Sequence, residues 1–155
     1  MGTEIERKFL VDHNKWDKVN KPKGNVYKQG YILNEEKRTV RIRVTDTSAY
    51  ITLKGAAEGI SRSEFEYEIP KANGEQILKE FATTSLEKTR YNINYAGHLW
   101  EVDVFEGANQ GLIVAEIELD KEDEAFEKPD WVAEEVSYDS RYTNALLSVK
   151  PYTTW

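Results

Sequence analysis

The segment Glu4-Ile5-Glu6-Arg7-Lys8-Phe9-Leu10-Val11 alternates charged and apolar side chains along most of its length. Because successive side chains of a β-strand point to opposite faces, the alternation predicts a strand over residues 3–11. Glu4, Glu6 and Lys8 would share one face of this strand, and the opposite face would be mainly apolar. The segment therefore has one side suited to a core and one side that carries only charge.

The same alternation recurs along the chain and predicts further strands, with hairpin turns at residues 35–37 and 96–97. These strands are expected at residues 25–34, 39–45, 49–54, 62–69, 87–95, 99–105 and 112–119. Residues 121–130 are acidic and irregular. The sequence contains no internal repeat and no linker, so residues 1–155 are predicted to form a single domain with a mostly antiparallel α+β fold.

Three short helices are predicted at residues 13–19, 73–82 and 140–149 from their caps and apolar spacing. Asp12 is expected to cap the first helix, in which Trp16 faces inward. Ser140 is expected to cap the third. The side chains expected to pack are Ile77, Leu78 and Phe81 on the second helix and Ala145, Leu146 and Val149 on the third.

The charged faces of the predicted strands segregate by sign. Two faces are wholly basic and two are wholly acidic; their side chains are Arg41 and Arg43, Lys88 and Arg90, Glu101 and Asp103, and Glu116 and Glu118. An ordinary sheet with one solvent-facing side explains any single strand, but it does not require this segregation. The pattern favours a closed sheet whose polar face lines a water-filled interior, with the predicted helices covering part of its apolar outer face.

Composition excludes several classes of site. The chain has 155 residues with 0 Cys and 2 His, which excludes a disulfide framework, a thiolate zinc site and a histidine-rich metal site. A nucleic-acid binder usually carries a basic surplus, whereas 21 Lys+Arg against 28 Asp+Glu give this chain a formal charge of −7. No apolar run approaches the roughly 20 residues of a spanning helix, and no N-terminal signal pattern is present. We expect a cytoplasmic protein that binds neither nucleic acid nor membrane.

An interior with basic and acidic sides is suited to binding both an anion and divalent cations. Arg and Lys side chains bind phosphate oxygens, Arg through a two-pronged fork and Lys as a point charge. Carboxylates repel such an anion unless divalent cations lie between them, and Mg²⁺ and Mn²⁺ prefer carboxylate, water and phosphate oxygens. The sequence has no Gly-rich P-loop. The residues therefore predict a metal-dependent site for a chain of phosphates.

The motifs of the chain resemble those of the CYTH superfamily, the triphosphate tunnel metalloenzymes. Glu4-x-Glu6-x-Lys8 is similar to the family's E-x-E-x-K signature, and Arg62-x-Glu64-x-Glu66 is similar to its R-x-E-x-E strand. The other family-like motifs follow in order: Gln29-Gly30-Tyr31, Arg41-x-Arg43, Lys54, Lys88-x-Arg90, Glu101-x-Asp103, Glu116-x-Glu118 and Glu134-Glu135-Val136. The resemblance implies an eight-stranded antiparallel closed β-barrel, a tunnel with a charged interior and a few flanking helices. It also implies a triphosphate ligand and one or two Mg²⁺ or Mn²⁺ ions per site.

Both the charge pattern and the resemblance point to the same candidate site residues. The expected phosphate-binding residues are Lys8, Arg41, Arg43, Lys54, Lys88 and Arg90. The expected metal-site residues are Glu4, Glu6, Asp103, Glu116 and Glu118, some of them acting through bound water. Glu64 and Glu66 are expected to orient the basic side chains or to assist a second metal, and Glu68 and Glu101 are expected to lie at the rim. The alternatives are ion pairing among the strands and a solvated acidic face.

The resemblance is strongest to the short bacterial inorganic tripolyphosphatases. In those members it implies that Lys8 and Tyr31 form a catalytic pair, in which Lys8 contacts the end of the phosphate chain and Tyr31 holds Lys8 in place. It also implies a homodimer, on which the sequence itself is silent. Plain packing of Tyr31 and a simple salt bridge of Lys8 are the alternatives.

The predicted reaction is metal-dependent hydrolysis of the terminal phosphoanhydride of inorganic tripolyphosphate, which gives pyrophosphate and phosphate. A nucleoside- or thiamine-triphosphate enzyme on the same scaffold, such as a class IV adenylate cyclase or a thiamine triphosphatase, is the second hypothesis. A polyphosphate-binding module without catalysis is the third. The three differ in whether phosphate is released when metal is present, and from which triphosphate.

Overall fold

A computed structural model describes residues 2–155, and its strands form one antiparallel sheet. The strands are β1 (Gly2–Val11), β2 (Asn25–Glu35), β3 (Arg38–Val44), β4 (Ala49–Gly55), β5 (Ser61–Ile69), β6 (Thr84–Tyr95), β7 (His98–Phe105), β8 (Ile113–Glu118) and β9 (Val132–Glu135). The helices are α1 (His13–Asp17), α2 (Lys71–Phe81) and α3 (Asn144–Leu147), with 3₁₀ turns at Gly107–Asn109, Ser140–Tyr142 and Tyr152–Thr154. No helix within residues 2–155 is long and apolar enough to cross a membrane.

The sheet closes on itself through β1. The strand order is β5-β4-β3-β2-β6-β7-β8-β1-β9, and the first part of β1 also pairs with β5, with Gly2 opposite Glu64 and Ile5 opposite Ser61. Strands β1–β8 therefore form a closed eight-stranded antiparallel barrel, which confirms the predicted fold class. Strand β9 pairs with the last part of β1, outside this ring.

Two predicted hairpin turns are confirmed. Strands β6 and β7 are joined by Ala96 and Gly97, both of which have positive φ angles, 49° and 81°. A two-residue turn with positive φ at both positions matches the right-handed twist of the flanking strands. Strands β2 and β3 are joined by the two residues between Glu35 and Arg38.

Helix α2 covers the outer face of β3 and β4. Ile77 and Leu78 pack against the buried core residues Ile42, Val44 and Ala49, as their helical spacing predicts. The expectation for Phe81 was wrong, because this side chain is 60% exposed at the end of the helix. The next residue, Ala82, has an extended backbone, and its side chain lies with that of Leu78 over Gly30 of β2.

A second core covers the outer face of β1, β7 and β8. Phe9, Trp16, Trp100 and Trp131 are buried there, and Asp12 caps α1 by accepting a hydrogen bond from the Lys15 backbone. The inward orientation of Trp16 and the Asp12 cap are therefore confirmed, although α1 is shorter than predicted.

The C-terminal helix differs from its prediction. The predicted helix over 140–149 is broken into a 3₁₀ turn and α3, and Thr143 caps α3 in place of Ser140. The later start rotates the apolar face, so Leu147 is fully buried while Leu146 and Val149 are 37% and 51% exposed. Helix α3 therefore does not cover the outside of the barrel.

Leu147 instead fills one end of the barrel interior. It packs with Leu86, Phe105 and Val114. These three residues share the inward face of their strands, since Phe105 lies opposite Lys88 and Val114 lies opposite Asp103 in the sheet register. The barrel is therefore apolar at one end and charged over the rest of its length.

One strand boundary and one whole strand were missed in the sequence. Strand β6 begins at Thr84 rather than at residue 87, and β9 was not predicted. Strand β9 has only four residues, so too few positions alternate for a period of two to be visible.

We expect Gly74→Ala to destabilise the protein, although alanine favours a helix more than glycine does. A Cβ at position 74 would lie 2.4 Å from the Ala49 Cβ, so α2 would have to move away from β4. Such overpacking costs about 1–3 kcal/mol. Thermal unfolding measures the effect, with Asn73→Ala on the exposed side of α2 as the control. An unchanged or raised Tm for Gly74→Ala would contradict the close packing.

Candidate functional site

The barrel interior holds a cavity of about 1060 Å³ with a charged wall. All the predicted site residues except Asp103 lie on this wall: Glu4, Glu6, Lys8, Tyr31, Arg41, Arg43, Lys54, Glu64, Glu66, Lys88, Arg90, Glu116 and Glu118. They come from seven different strands and meet because each occupies an inward position of its strand. The β2–β3 turn, the β4–β5 loop and the segment around α3 complete the wall.

The basic side chains of β3 and β4 are held by carboxylates of β1 and β5. Glu66 lies 3.6 Å from Arg41 Nη2 and 3.3 Å from Arg43 Nη2. Lys54 Nζ lies 3.2 Å from Glu4 and 3.4 Å from Glu64. In this structure Glu64 and Glu66 therefore contact the basic side chains directly.

Asp103 has a different position from the other predicted site residues. Its side chain is fully buried behind the cavity wall. Asp103 Oδ2 accepts hydrogen bonds from Lys88 Nζ at 2.6 Å and Arg90 Nη2 at 2.8 Å, and Oδ1 accepts one from Arg90 Nε at 2.7 Å. These cations hold the pKa of Asp103 below its usual range, although burial alone would raise it.

The acidic residues of β1 and β8 are crowded together. Burial raises the pKa of Glu6 well above its usual range, and the carboxylates of Glu116 and Glu4 raise it further. Burial also raises the pKa of Glu4, against the effect of Lys54. Glu116 is the exception, since Lys8, Arg90 and Lys88 together lower its pKa despite its burial. The region around Glu4 and Glu6 therefore has more carboxylates than its cations can neutralise.

The acidic residues fit a divalent cation that shares its ligands with a substrate. Within residues 2–155 no three Asp, Glu or His side chains converge closely enough to hold a metal ion by themselves. Mg²⁺ usually binds through one or two carboxylates and completes its shell with water and substrate phosphate oxygens. Crowded carboxylates with raised pKa values, such as Glu4 and Glu6, are suitable donors for such an ion.

Lys8 and Tyr31 both face the cavity, but they do not hydrogen-bond to each other in the part of the chain that the structure describes. Lys8 Nζ donates a hydrogen bond to the Tyr142 carbonyl oxygen at 3.3 Å and lies 3.8 Å from Glu116. Tyr31 is buried, with 3% of its surface exposed. Lys8 is therefore anchored by the C-terminal segment and by β8.

Three further residues line the cavity. Arg62, of the R-x-E-x-E motif, lines it, and among residues 2–155 no carboxylate lies within 4.0 Å of its guanidinium. Glu101, expected at the rim, also lines the cavity and accepts a hydrogen bond from Arg90 at 3.0 Å. Asn144 accepts a hydrogen bond from Lys88 at 3.1 Å. Asn144 was missed in the sequence, because no local pattern marks it.

Comparison with known proteins agrees with this geometry. A family model described as the CYTH domain matches residues 2–145. The inorganic triphosphatase of Acetivibrio thermocellus is 45% identical over 153 residues, which cover 98% of this chain and 97% of the relative. The inorganic triphosphatase of Nitrosomonas europaea is 36% identical over 155 residues, which cover 95% of this chain and 97% of the relative.

The fold of the chain also matches that of a solved structure. The crystal structure of an inorganic triphosphatase matches with a TM-score of 0.66 at 33% identity and covers 96% of each chain. The motif resemblance is confirmed, and the chain belongs to the CYTH domain family.

Proposed function

We propose that this protein hydrolyses inorganic tripolyphosphate to pyrophosphate and phosphate with Mg²⁺ or Mn²⁺ as its cofactor. In this reaction a water oxygen attacks the terminal phosphorus, and the bridging oxygen leaves with the pyrophosphate. The observation that carries the proposal is a single cavity with basic side chains on one part of its wall and crowded carboxylates on another. The names of the two inorganic triphosphatases support it.

The basic residues would bind and orient the phosphate chain. Glu66 contacts both Arg41 and Arg43, so this basic pair keeps one positive charge in excess. Lys88 and Arg90 share Asp103, and Arg90 also contacts Glu101. Fixed cations in a partly desolvated cavity stabilise the charge of a transferring phosphoryl group without reorganising. Lys8 and Tyr31 would act at the end of the chain.

The carboxylates of Glu4, Glu6, Glu116 and Glu118 would hold the metal ion or ions. A bound divalent cation supplies positive charge to the phosphoryl oxygens and orients or activates water. The protein's own contribution would be to keep these carboxylates close to the phosphate-binding residues, and the 3.2 Å contact of Glu4 with Lys54 supports this role.

The proposal is tested by phosphate release from tripolyphosphate, ATP and thiamine triphosphate, assayed in parallel with Mg²⁺, with Mn²⁺ and with EDTA. We expect metal-dependent release that is fastest from tripolyphosphate and is lost in EDTA. A preference for ATP, with cyclic AMP and pyrophosphate as products, would replace the proposed substrate. Metal-dependent binding with no turnover of any substrate would contradict catalysis itself.

Arg41→Ala should lower kcat/KM for tripolyphosphate by at least ~10-fold, the factor that corresponds to losing about 1.4 kcal/mol of charge-assisted contact. Arg41 is buried and lines the cavity. Arg38→Ala is the control on the same strand, since Arg38 is exposed and pairs with Glu35. Equal kinetics for the two variants would show that Arg41 does not contact the substrate.

Glu116→Gln should lower kcat/KM by at least about 10-fold, the lower range for disturbing a metal site, and should raise the Mn²⁺ concentration needed for half-maximal activity. The amide keeps the volume of the side chain and removes the charge that a cation requires. Glu68→Gln is the control, because Glu68 lies on β5 outside the cavity wall. If Glu116→Gln keeps wild-type activity and metal dependence, the acidic residues do not hold the metal in the way proposed.

A further inference from the structure

Asp103 occupies a different position from the other residues expected to hold a metal. Its side chain has no exposed surface, and it lies behind Lys88 and Arg90 as seen from the cavity. The neighbouring inward residue of the same strand, Glu101, does line the cavity. Alternation along β7 thus brings both residues to the inner face, but only Glu101 reaches the space where a ligand would bind.

The oxygens of Asp103 are already occupied by donors of the protein. Arg90 makes a two-pronged contact through Nε and Nη2, and Lys88 Nζ makes the shortest contact, at 2.6 Å. A carboxylate offers about four lone-pair sites, and three are used here. A metal ion at Asp103 would have to displace two cations from a buried position, which would deprive both of their nearest carboxylate.

The contacts of Asp103 fix the direction of two phosphate-binding candidates. A guanidinium has about five N–H donors in a rigid plane. Two of those on Arg90 go to Asp103 and one goes to Glu101, so the remaining N–H groups have a set orientation. Lys88 is held between Asp103 and Asn144 in the same way.

The charge of Asp103 also supports Lys88 in its cationic form. Burial lowers the pKa of Lys88 to about 8, and the nearby carboxylate of Asp103 opposes this fall. A buried amine that loses this partner gives up its proton more readily, and a neutral amine binds phosphate weakly.

We propose that Asp103 is a positioning residue, not a metal ligand: it orients Lys88 and Arg90 so that their free N–H groups face the bound phosphate chain. The inference rests on the proposed function, because it assumes that Lys88 and Arg90 bind phosphate. The positioning role and simple electrostatics predict opposite changes in anion affinity when the charge of Asp103 is removed. Removing a negative charge near an anion site should strengthen anion binding, whereas loss of a positioning residue should weaken it.

The experiment compares Asp103→Asn with the wild type in two measurements. The first is the affinity for tripolyphosphate by calorimetry in EDTA, where no metal takes part. We expect the affinity to fall at least tenfold. The second is activity against Mn²⁺ concentration, in which KM for tripolyphosphate should rise while the Mn²⁺ concentration for half-maximal activity stays within twofold of wild type. Asp123→Asn removes the same charge from an exposed position and is the matched control.

Each other outcome overturns the proposal. Unchanged or tighter metal-free binding would show that Asp103 does not orient the cations. A selective rise in the Mn²⁺ requirement would make Asp103 a metal ligand. A lower Tm with wild-type KM and affinity would make it purely structural. A wild-type enzyme that binds tripolyphosphate without hydrolysing it would refute the proposed function, while the calorimetric test of Asp103 would still stand.

A second variant guards against misfolding of Asp103→Asn. The double variant Lys88→Met with Asp103→Asn removes one cation and one anion together, so only Arg90 loses a buried partner. Because Asp103 acts partly through Lys88 and partly through Arg90, Asp103→Asn should still weaken tripolyphosphate binding in the Lys88→Met background, but by a smaller factor than in the wild type. Equal factors in the two backgrounds would contradict action through Lys88, and no further loss would contradict action through Arg90.

Discussion

The pairing of β1 with β5 is the constraint on which the site depends. It closes the sheet and turns the polar faces of its strands toward one interior. Charged groups taken from water are costly unless they are paired or hydrogen-bonded. The basic strands satisfy this requirement with shared carboxylates. Glu66 contacts Arg41 and Arg43. Asp103 contacts Lys88 and Arg90, and Arg90 also pairs with Glu101.

The acidic residues of β1 and β8, in contrast, are not fully paired with cations. Around Glu4 and Glu6 the carboxylates outnumber the cations, and burial together with mutual repulsion raises the pKa of both. Such crowding of like charges lowers the stability of the fold. A divalent cation would relieve it. A metal ion beside these carboxylates and a phosphate chain beside the basic residues would each meet charge of the opposite sign.

Much of this arrangement was predictable because strand alternation is a strictly local property. A period of two fixes which side chains share a face, and closure of the sheet then makes that face the interior. Alternation does not say how deep a side chain lies, so it could not separate Asp103, behind the wall, from Glu101, on it. Depth depends on which neighbours cover a residue, and for Asp103 these are Lys88 and Arg90 on the adjacent strand.

The same limit explains the C-terminal segment. The apolar residues of 140–149 predicted a helix packing on the outside, but Thr143 caps a shorter helix and turns Leu147 into the barrel. The cap lies three residues later than Ser140, and residues 140–142 form a 3₁₀ turn, so the side-chain directions of one continuous helix from Ser140 do not apply to Leu147. Tertiary contacts, not spacing, therefore decided which leucine was buried.

The spacing of the basic residues argues for a chain of phosphates over a single phosphate group. Inward residues two apart on one strand are separated by roughly 6.5 Å, and neighbouring strands by about 4.8 Å. The pair of β3 and the pair of β6 thus form an extended patch along the cavity, with β2 between their strands. A single phosphate would meet one pair and leave the other cations of the patch without a ligand. A linear polyanion would contact both pairs together, and each additional contact would use a cation whose position its carboxylate has already fixed.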